Sequence, residues 1–328
     1  MKKFVNAADQ LIGQSLAGFA LAHGEIVQLG GEGKFVRRRQ LRRGKVALIS
    51  GGGSGHEPLH AGFVGLGMLD AACPGQVFTS PTPDQMAEAA EAVETGGGVL
   101  YIVKNYEGDV MNFEMAAEMA GGPVARVVTD DDVAVEKSTW STGRRGVAGT
   151  MVVEKVVGAA AEAGAALDAC QALGQRVNEA TRSIGVALTS CTVPAAGKPT
   201  FEIGEAEMEF GVGIHGEPGR RRVAMAPAGE IAREMAAAIT TDFGARRGPA
   251  LLLVNGFGGT PSIELYLMYD ELRRAFEAER FTIARSLVGN YVTSLEMAGC
   301  SATLTLLDDE VLRLWDAPVH TAALRWGA

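Results

Sequence analysis

Only four cysteines occur in the chain, at positions 73, 170, 191 and 300, with no CxxC pair and no closely spaced Cys/His set. That excludes a disulfide framework and a structural zinc, and it predicts reduced thiols. Long apolar runs are missing too: nothing approaches the roughly 18 residues needed to span a bilayer. The start, MKKFVNAADQ, lacks the apolar segment of a secretory signal. The expectation is a soluble, cytoplasmic protein. Positive charge is in deficit, with 30 Lys and Arg against 39 Asp and Glu, which argues against a nucleic-acid or membrane-surface role. The exception is Arg37–Arg39 with Arg42, Arg43 and Lys45. It reads as a solvated loop or edge strand, with an acidic docking partner as the alternative. The last absence is a phosphate-loop lysine. AAGKPT at 195–200 has Gly-Lys, but Thr192 stands where the first glycine belongs and Pro199 follows the lysine; GFGGTPS at 256–262 has no lysine. The chain is expected to carry no nucleotide site of its own and no metal.

What the chain has in quantity is apolar residues (47%) and glycine (43 of 328 residues), enough for sizeable cores joined by many tight turns. Helical spacing runs from 7 to 23. Strands are expected at 45–50, 99–106 and 124–130, with helices over 81–98, after Asp109, over 146–164 and over 167–182. Strand–helix alternation predicts an α/β fold whose amino-terminal part is a mainly parallel sheet covered by helices. From about residue 183 the texture changes to a β-meander ending at GIHGEPG, then alternating helix and strand. This predicts two domains, 1–183 and a smaller α/β or α+β domain, 184–328.

The chemistry gathers around KVALISGGGSGHEP, Lys45 to Pro58. A strand running into glycines lets backbone approach a ligand closely. Polar residues at the strand ends, from Ser50, from Asn105 to Asp109 and from Asp130 to Asp132, would line one sheet edge, where open α/β sheets bind ligands. Glycines alone can cradle an anion, so a phosphate site stays open on this pattern. Two histidines share a setting: GSGHEP around His56 and GIHGEPG around His215. Neither has metal-site spacing. A neutral imidazole can add to a carbonyl as a hemiaminal, while a second histidine and Asp109 manage protons on neighbouring hydroxyls. That suits a small hydroxy-carbonyl compound. His60, placed on the same helical face as His56, reads first as structural, as do His23 and His320.

The stretches GKVALISGGGSGHEPLHAGFVGLGMLDAACPGQVFTSPTPDQ, VKNYEGDVMNFE, DDDVAV, GRRGVAGT, SCTVPAAGKPTF, EMEFGVGIHGEPG and LWDAPVHTAALRWG resemble the dihydroxyacetone kinase family, above all its separate dihydroxyacetone-binding (DhaK) subunits. The likeness runs from about residue 9 to the end, broken mainly at 30–43 and 219–249. It implies that His215 binds the substrate carbonyl as a hemiaminal. It implies that Gly53, Ser54, Gly55 and His56 surround the hydroxyls, with His56 as proton acceptor, and that Lys104 and Asp109 complete the substrate contacts. It also implies a homodimer and an all-helical partner, DhaL, carrying Mg-ADP or Mg-ATP. The tail WDAPVHTAALRWG is most like phosphotransferase-system members, in which DhaM recharges DhaL from phosphoenolpyruvate. A kinase for a four-carbon ketose such as erythrulose, and a non-catalytic sensor or coactivator, are the alternatives.

Overall fold

The structure, a computed structural model, describes residues 2–134, 143–217 and 219–328. Val135 of the DDDVAV stretch and Pro218 of the GIHGEPG stretch lie outside the described residues. Helix α1 (Leu11–Ala22) precedes a six-stranded sheet built from β1 (Val27–Gly30), β2 (Phe35–Arg38), β3 (Ala47–Ser54), β5 (Ala71–Val77), β6 (Val99–Lys104) and β7 (Val124–Thr129). Its order is β1-β2-β5-β3-β6-β7. The pairs β3–β5, β3–β6 and β6–β7 are parallel, and β1 and β2 add an antiparallel flank. The short β4 (Gly65–Leu66) belongs to a separate small sheet with two strands from the end of the chain, β14 (Val319–Thr321) and β15 (Arg325–Trp326).

Parallel strands need crossovers, and helices supply them. α2 (Pro83–Val93) starts as the sequence suggests, with extended Thr82 before it and Pro83 at its first turn, where a missing N–H costs nothing. α3 (Glu107–Met119) and the pair α4 (Gly149–Glu162) and α5 (Leu167–Glu179) follow. Every residue of α4 except Glu162 is buried. The reason is its position: it packs against β3 and β6 of the first sheet and against β8 (Thr181–Ala187) and β13 (Gly299–Leu306) of a second. That second sheet also holds β9 (Glu207–Phe210), β10 (Arg221–Ala224), β11 (Pro249–Gly256) and β12 (Thr282–Gly289), in the order β10-β9-β8-β13-β11-β12. Of its strand pairs, β11–β12 is parallel and the rest antiparallel. α6 (Ala228–Phe243) and α7 (Ser262–Ala278) pack on it, and α8 (Asp309–Asp316) packs on α4. One apolar cluster runs from Leu48 and Leu100 through Val152 and Val156 to Leu251 and Leu253, joining both sheets through α4. The fold is the mixed α/β architecture expected.

Several local expectations need correction. The glycines 51–53 are not a turn: β3 continues through them to Ser54, paired in parallel with Cys73–Val77. Asp109 lies inside the first turn of α3 rather than before it. The meander reduces to the β9–β10 hairpin. No α-helix follows His56, so His60 shares no helical face with it; a short 3₁₀ turn, Ala61–Phe63, comes next. In the basic run, Arg39, Arg42 and Arg43 are exposed, but Arg38 and Lys45 are buried. Both converge on the buried Asp70, and Arg38 also reaches Glu162 at 2.8 Å. Buried cations are stable only when paired, so the carboxylates draw this part of the run inward.

All four cysteines are buried free thiols. Among the described residues no helix is long and apolar enough to cross a membrane, and no group of three His, Cys, Asp or Glu is placed to hold a metal ion.

Candidate functional site

Strand β3 has glycines where its neighbours leave no room for side chains. A Cβ on Gly52 would stand 2.1 Å from Lys104 Nζ, and one on Gly53 would stand 2.6 Å from both Phe78 Cα and Thr79 N. The backbone of residues 78–79 can therefore lie directly on the strand, and Lys104, at the end of β6, reaches across it. Phe78 is held at φ +56°, an uncommon backbone conformation for a large residue, and its N–H donates to Ser54 O at 3.0 Å. Gly53→Ala is expected to lower unfolding stability by about 1–3 kcal/mol, because the clash is with backbone that cannot rotate away. Urea denaturation checks it: the midpoint falls while the slope stays constant.

His56 follows β3, and His215 sits in the segment after β9. Their rings meet edge to face, with centroids 4.8 Å apart. Phe78 stacks on His56 at 5.1 Å, and Tyr106 meets His215 at 4.3 Å. Each histidine loop is clipped by the glutamate of its Glu-Pro pair. Glu57 accepts from Gly55 N at 3.0 Å, and Glu217 accepts from His215 N at 2.9 Å. Arg145, nearly fully buried, bonds Asp132 at 2.8 Å, Glu217 at 3.0 Å and Gly211 O at 2.8 Å. It thereby ties the His215 loop to the end of β7.

Burial governs the charges. His56 is held well below the usual imidazole range by burial, then by His215 and Lys104. His215 is pushed down to about 3 by burial, then by Lys104 and Arg145. Both rings are neutral at ordinary pH. Nδ1 of His56 lies 2.7 Å from the Thr293 carbonyl oxygen, which can only accept, so the ring proton sits there and Nε2 keeps its lone pair. That Nε2 has no partner among the described residues, and neither have Asp109 Oδ1 and Tyr106 Oη. Buried polar atoms are nearly always satisfied, and three without a partner on neighbouring residues make these groups candidates for contact with a ligand. Lys104, fully buried, lies 3.5 Å from Asp109 Oδ2 and donates to Gly51 O at 3.1 Å.

The cavity beside these groups measures about 610 Å³ and is lined by Gly53, Phe78, Tyr106, Asp109, His215 and Glu217 among others. Of the expected site residues, His215, Asp109 and Gly53 line it; His56 and Lys104 do not, but stand one layer back, His56 against the rings of His215 and Phe78 and Lys104 beside Asp109. Ser54 turns its hydroxyl to Gly75 O at 2.7 Å. Ser54 and Gly55 line a second cavity of the same volume, beneath α1 on the other side of the glycine strand. Sequence reasoning missed Phe78, Tyr106, Thr293 and Arg145. Glu217 was legible in the repeated Glu-Pro.

The sequence matches the model of the Dak1 domain over residues 17–323. The chain belongs to the Dak1 family. Among its curated relatives, this Dak1 chain is 48% identical to the dihydroxyacetone-binding subunit DhaK of the PEP-dependent dihydroxyacetone kinase of Escherichia coli, covering 100% of both chains. It is equally 48% identical to the DhaK subunit of PTS-dependent dihydroxyacetone kinase 1 of Listeria innocua, over 98% of this chain and 100% of that one. Among solved structures, the dihydroxyacetone kinase of C. freundii matches with a TM-score of 0.89 at 33% identity, over 99% of this chain and 60% of that one. A dihydroxyacetone kinase operon co-activator matches with a TM-score of 0.90 at 34% identity, over 95% of this chain and 97% of that one. Backbone likeness does not separate kinase from co-activator, so the side chains of the site must.

Proposed function

We propose that this Dak1 chain is the dihydroxyacetone-binding subunit of a cytoplasmic glycerone kinase, working as a homodimer with a separate nucleotide-bearing DhaL subunit. The observation that carries the reading is the neutral His215 on the cavity wall beside Asp109, in ring contact with His56, where Asp109 Oδ1 and His56 Nε2 both lack a partner among the described residues. A sensor needs a pocket; it has no need of an unpartnered base beside it.

In this mechanism the His215 lone pair adds to the substrate carbonyl carbon. The carbonyl oxygen gains a proton and the ring loses one, so the hemiaminal forms without loss of water. A terminal hydroxyl then gives its proton to His56 Nε2, with Asp109 accepting from the hydroxyls, as its oxygen attacks the phosphoryl group presented by DhaL. Lys104, beside Asp109, supplies positive charge. The nucleotide and its magnesium stay on the partner, and DhaM recharges it in a phosphoenolpyruvate-dependent system. The division into 1–183 and 184–328 belongs to the same proposal: the first segment carries His56, Lys104 and Asp109, and the second carries His215.

The purified chain alone is expected to bind dihydroxyacetone without phosphorylating it. Dihydroxyacetone phosphate, read by a coupled reductase assay, is expected on adding DhaL with Mg-ATP or with Mg-ADP and the phosphoenolpyruvate relay. Product from the chain alone, or none with either donor, overturns the reading.

A further inference from the structure

Behind the two rings runs a line of buried polar groups that the mechanism above does not use. Glu154, in the middle of α4, has no exposed surface, and its Oε1 lies 2.6 Å from His60 Nδ1. His60 Nε2 lies in turn 3.0 Å from Lys104 Nζ. Three elements therefore converge on one ammonium group: β3 through Gly51 O, α3 through Asp109, and the turn after His56 through His60.

The proton positions follow from the donor and acceptor inventory. An ammonium group has three donors and no acceptor, so His60 Nε2 must accept from Lys104. The ring proton then sits on Nδ1 and is donated to Glu154. Burial keeps His60 neutral, as this requires. Glu154 Oε1 accepts whether its carboxyl is ionised or carries a proton on Oε2, which has no partner among the described residues. On the other side, the 3.5 Å from Lys104 Nζ to Asp109 Oδ2 is longer than the roughly 2.7–2.9 Å of a charge-assisted hydrogen bond. The ammonium is held near Asp109 without clamping it. Without the acceptor on His60, the third N–H of Lys104 would be buried and unsatisfied, and the nearest remedy is a closer bond to Asp109.

We propose that His60 and Glu154 are positioning residues for phosphoryl transfer, holding the Lys104 ammonium off Asp109 so that this carboxylate stays open to a substrate hydroxyl. The inference rests on the dihydroxyacetone kinase reading. A buried His–Glu pair that only fills space would be indifferent to which ring nitrogen is replaced, and that difference supplies the test.

The side-chain amide of glutamine places its oxygen near the position of Nε2, and that of asparagine near Nδ1. In the complex with DhaL and donor, His60→Gln is expected to keep kcat within about twofold of the parent. His60→Asn is expected to lower kcat on the order of tenfold, the scale of one lost hydrogen bond to a charged group. Binding of dihydroxyacetone, titrated calorimetrically, should stay at the parent's strength in His60→Gln and weaken in His60→Asn, in which Asp109 is drawn from the substrate hydroxyl. Glu154→Gln, which keeps an acceptor, should behave as His60→Gln. In a Lys104→Met background, His60→Asn should have no further effect, because its action runs through the missing lysine. Equal losses in His60→Gln and His60→Asn, parental kcat in His60→Asn, or an undiminished loss in the Lys104→Met background overturns the positioning role. An unsubstituted complex that leaves dihydroxyacetone unphosphorylated overturns the kinase reading instead, and this inference falls with it.

Discussion

Replacing His215 by alanine is expected to abolish covalent capture of dihydroxyacetone and to lower kcat/KM by at least on the order of 10³-fold, the scale of losing a well-oriented covalent partner. The ring lies at the cavity wall between Tyr106, 4.3 Å away, and Phe78, 5.6 Å away. The same burial that desolvates the imidazole keeps it neutral, with its pKa pushed down to about 3. A protonated ring has no lone pair to offer, so the sign of the shift matters: lowering the pKa leaves the nucleophilic form dominant at every pH above about 4. Capture should therefore be flat between pH 5 and 8, where an unperturbed histidine would show an acid limb near its usual 6.5. Intact mass of the unsubstituted protein should rise by one whole triose, without loss of water. The labelled carbonyl carbon of dihydroxyacetone should move into the tetrahedral range by ¹³C NMR. Neither change should occur in His215→Ala, nor with glycerol, which has no carbonyl. A parent protein that binds the triose with its carbonyl carbon still trigonal would remove the covalent step.

How far such a site can be read from sequence depends on the range of the interactions that build it. The parallel core of the first sheet was legible because strands β3, β6 and β7 are short apolar runs separated by helices with recognisable starts. The histidine pair was legible because GSGHEP and GIHGEPG repeat a local arrangement, and the structure gives that repeat a cause in the clips made by Glu57 and Glu217. The glycines of β3 misled because glycine is the commonest sign of a turn. Here it answers the close approach of Lys104 and of residues 78–79, which are far away in sequence. His60 misled for a related reason, since its significance lies with Glu154 on α4 and not with its sequence neighbours. The same holds for Thr293, whose carbonyl fixes the His56 tautomer from 237 positions away. No local pattern announces such a contact. Arg38 and Lys45 show how pairing overrides composition: a basic run that reads as solvated is partly drawn inside by Asp70 and Glu162.

The tautomer fixed by Thr293 gives the other large effect. His56→Asn is expected to lower kcat by about 10² to 10⁴-fold, the range for losing a general base, while the adduct on His215 still forms. Asparagine can place its side-chain N–H near the position of Nδ1 and keep the bond to the Thr293 carbonyl, so the loop should hold its shape. It has no counterpart of Nε2, which is buried and without a partner among the described residues. The substitution thus removes the base and spares its support. Asp109 Oδ1, also without a partner among the described residues, would still accept a hydroxyl under the proposed mechanism, which leaves residual turnover and sets the lower end of the range. Capture and transfer separate experimentally: the mass of the adduct reports the first, and turnover with DhaL and donor reports the second. Loss of both in His56→Asn would place His56 in capture, and retention of both would assign the base to Asp109. Turnover lost with the adduct intact divides the labour as proposed, with His215 holding the carbonyl and His56, 4.8 Å away ring to ring, serving the hydroxyl.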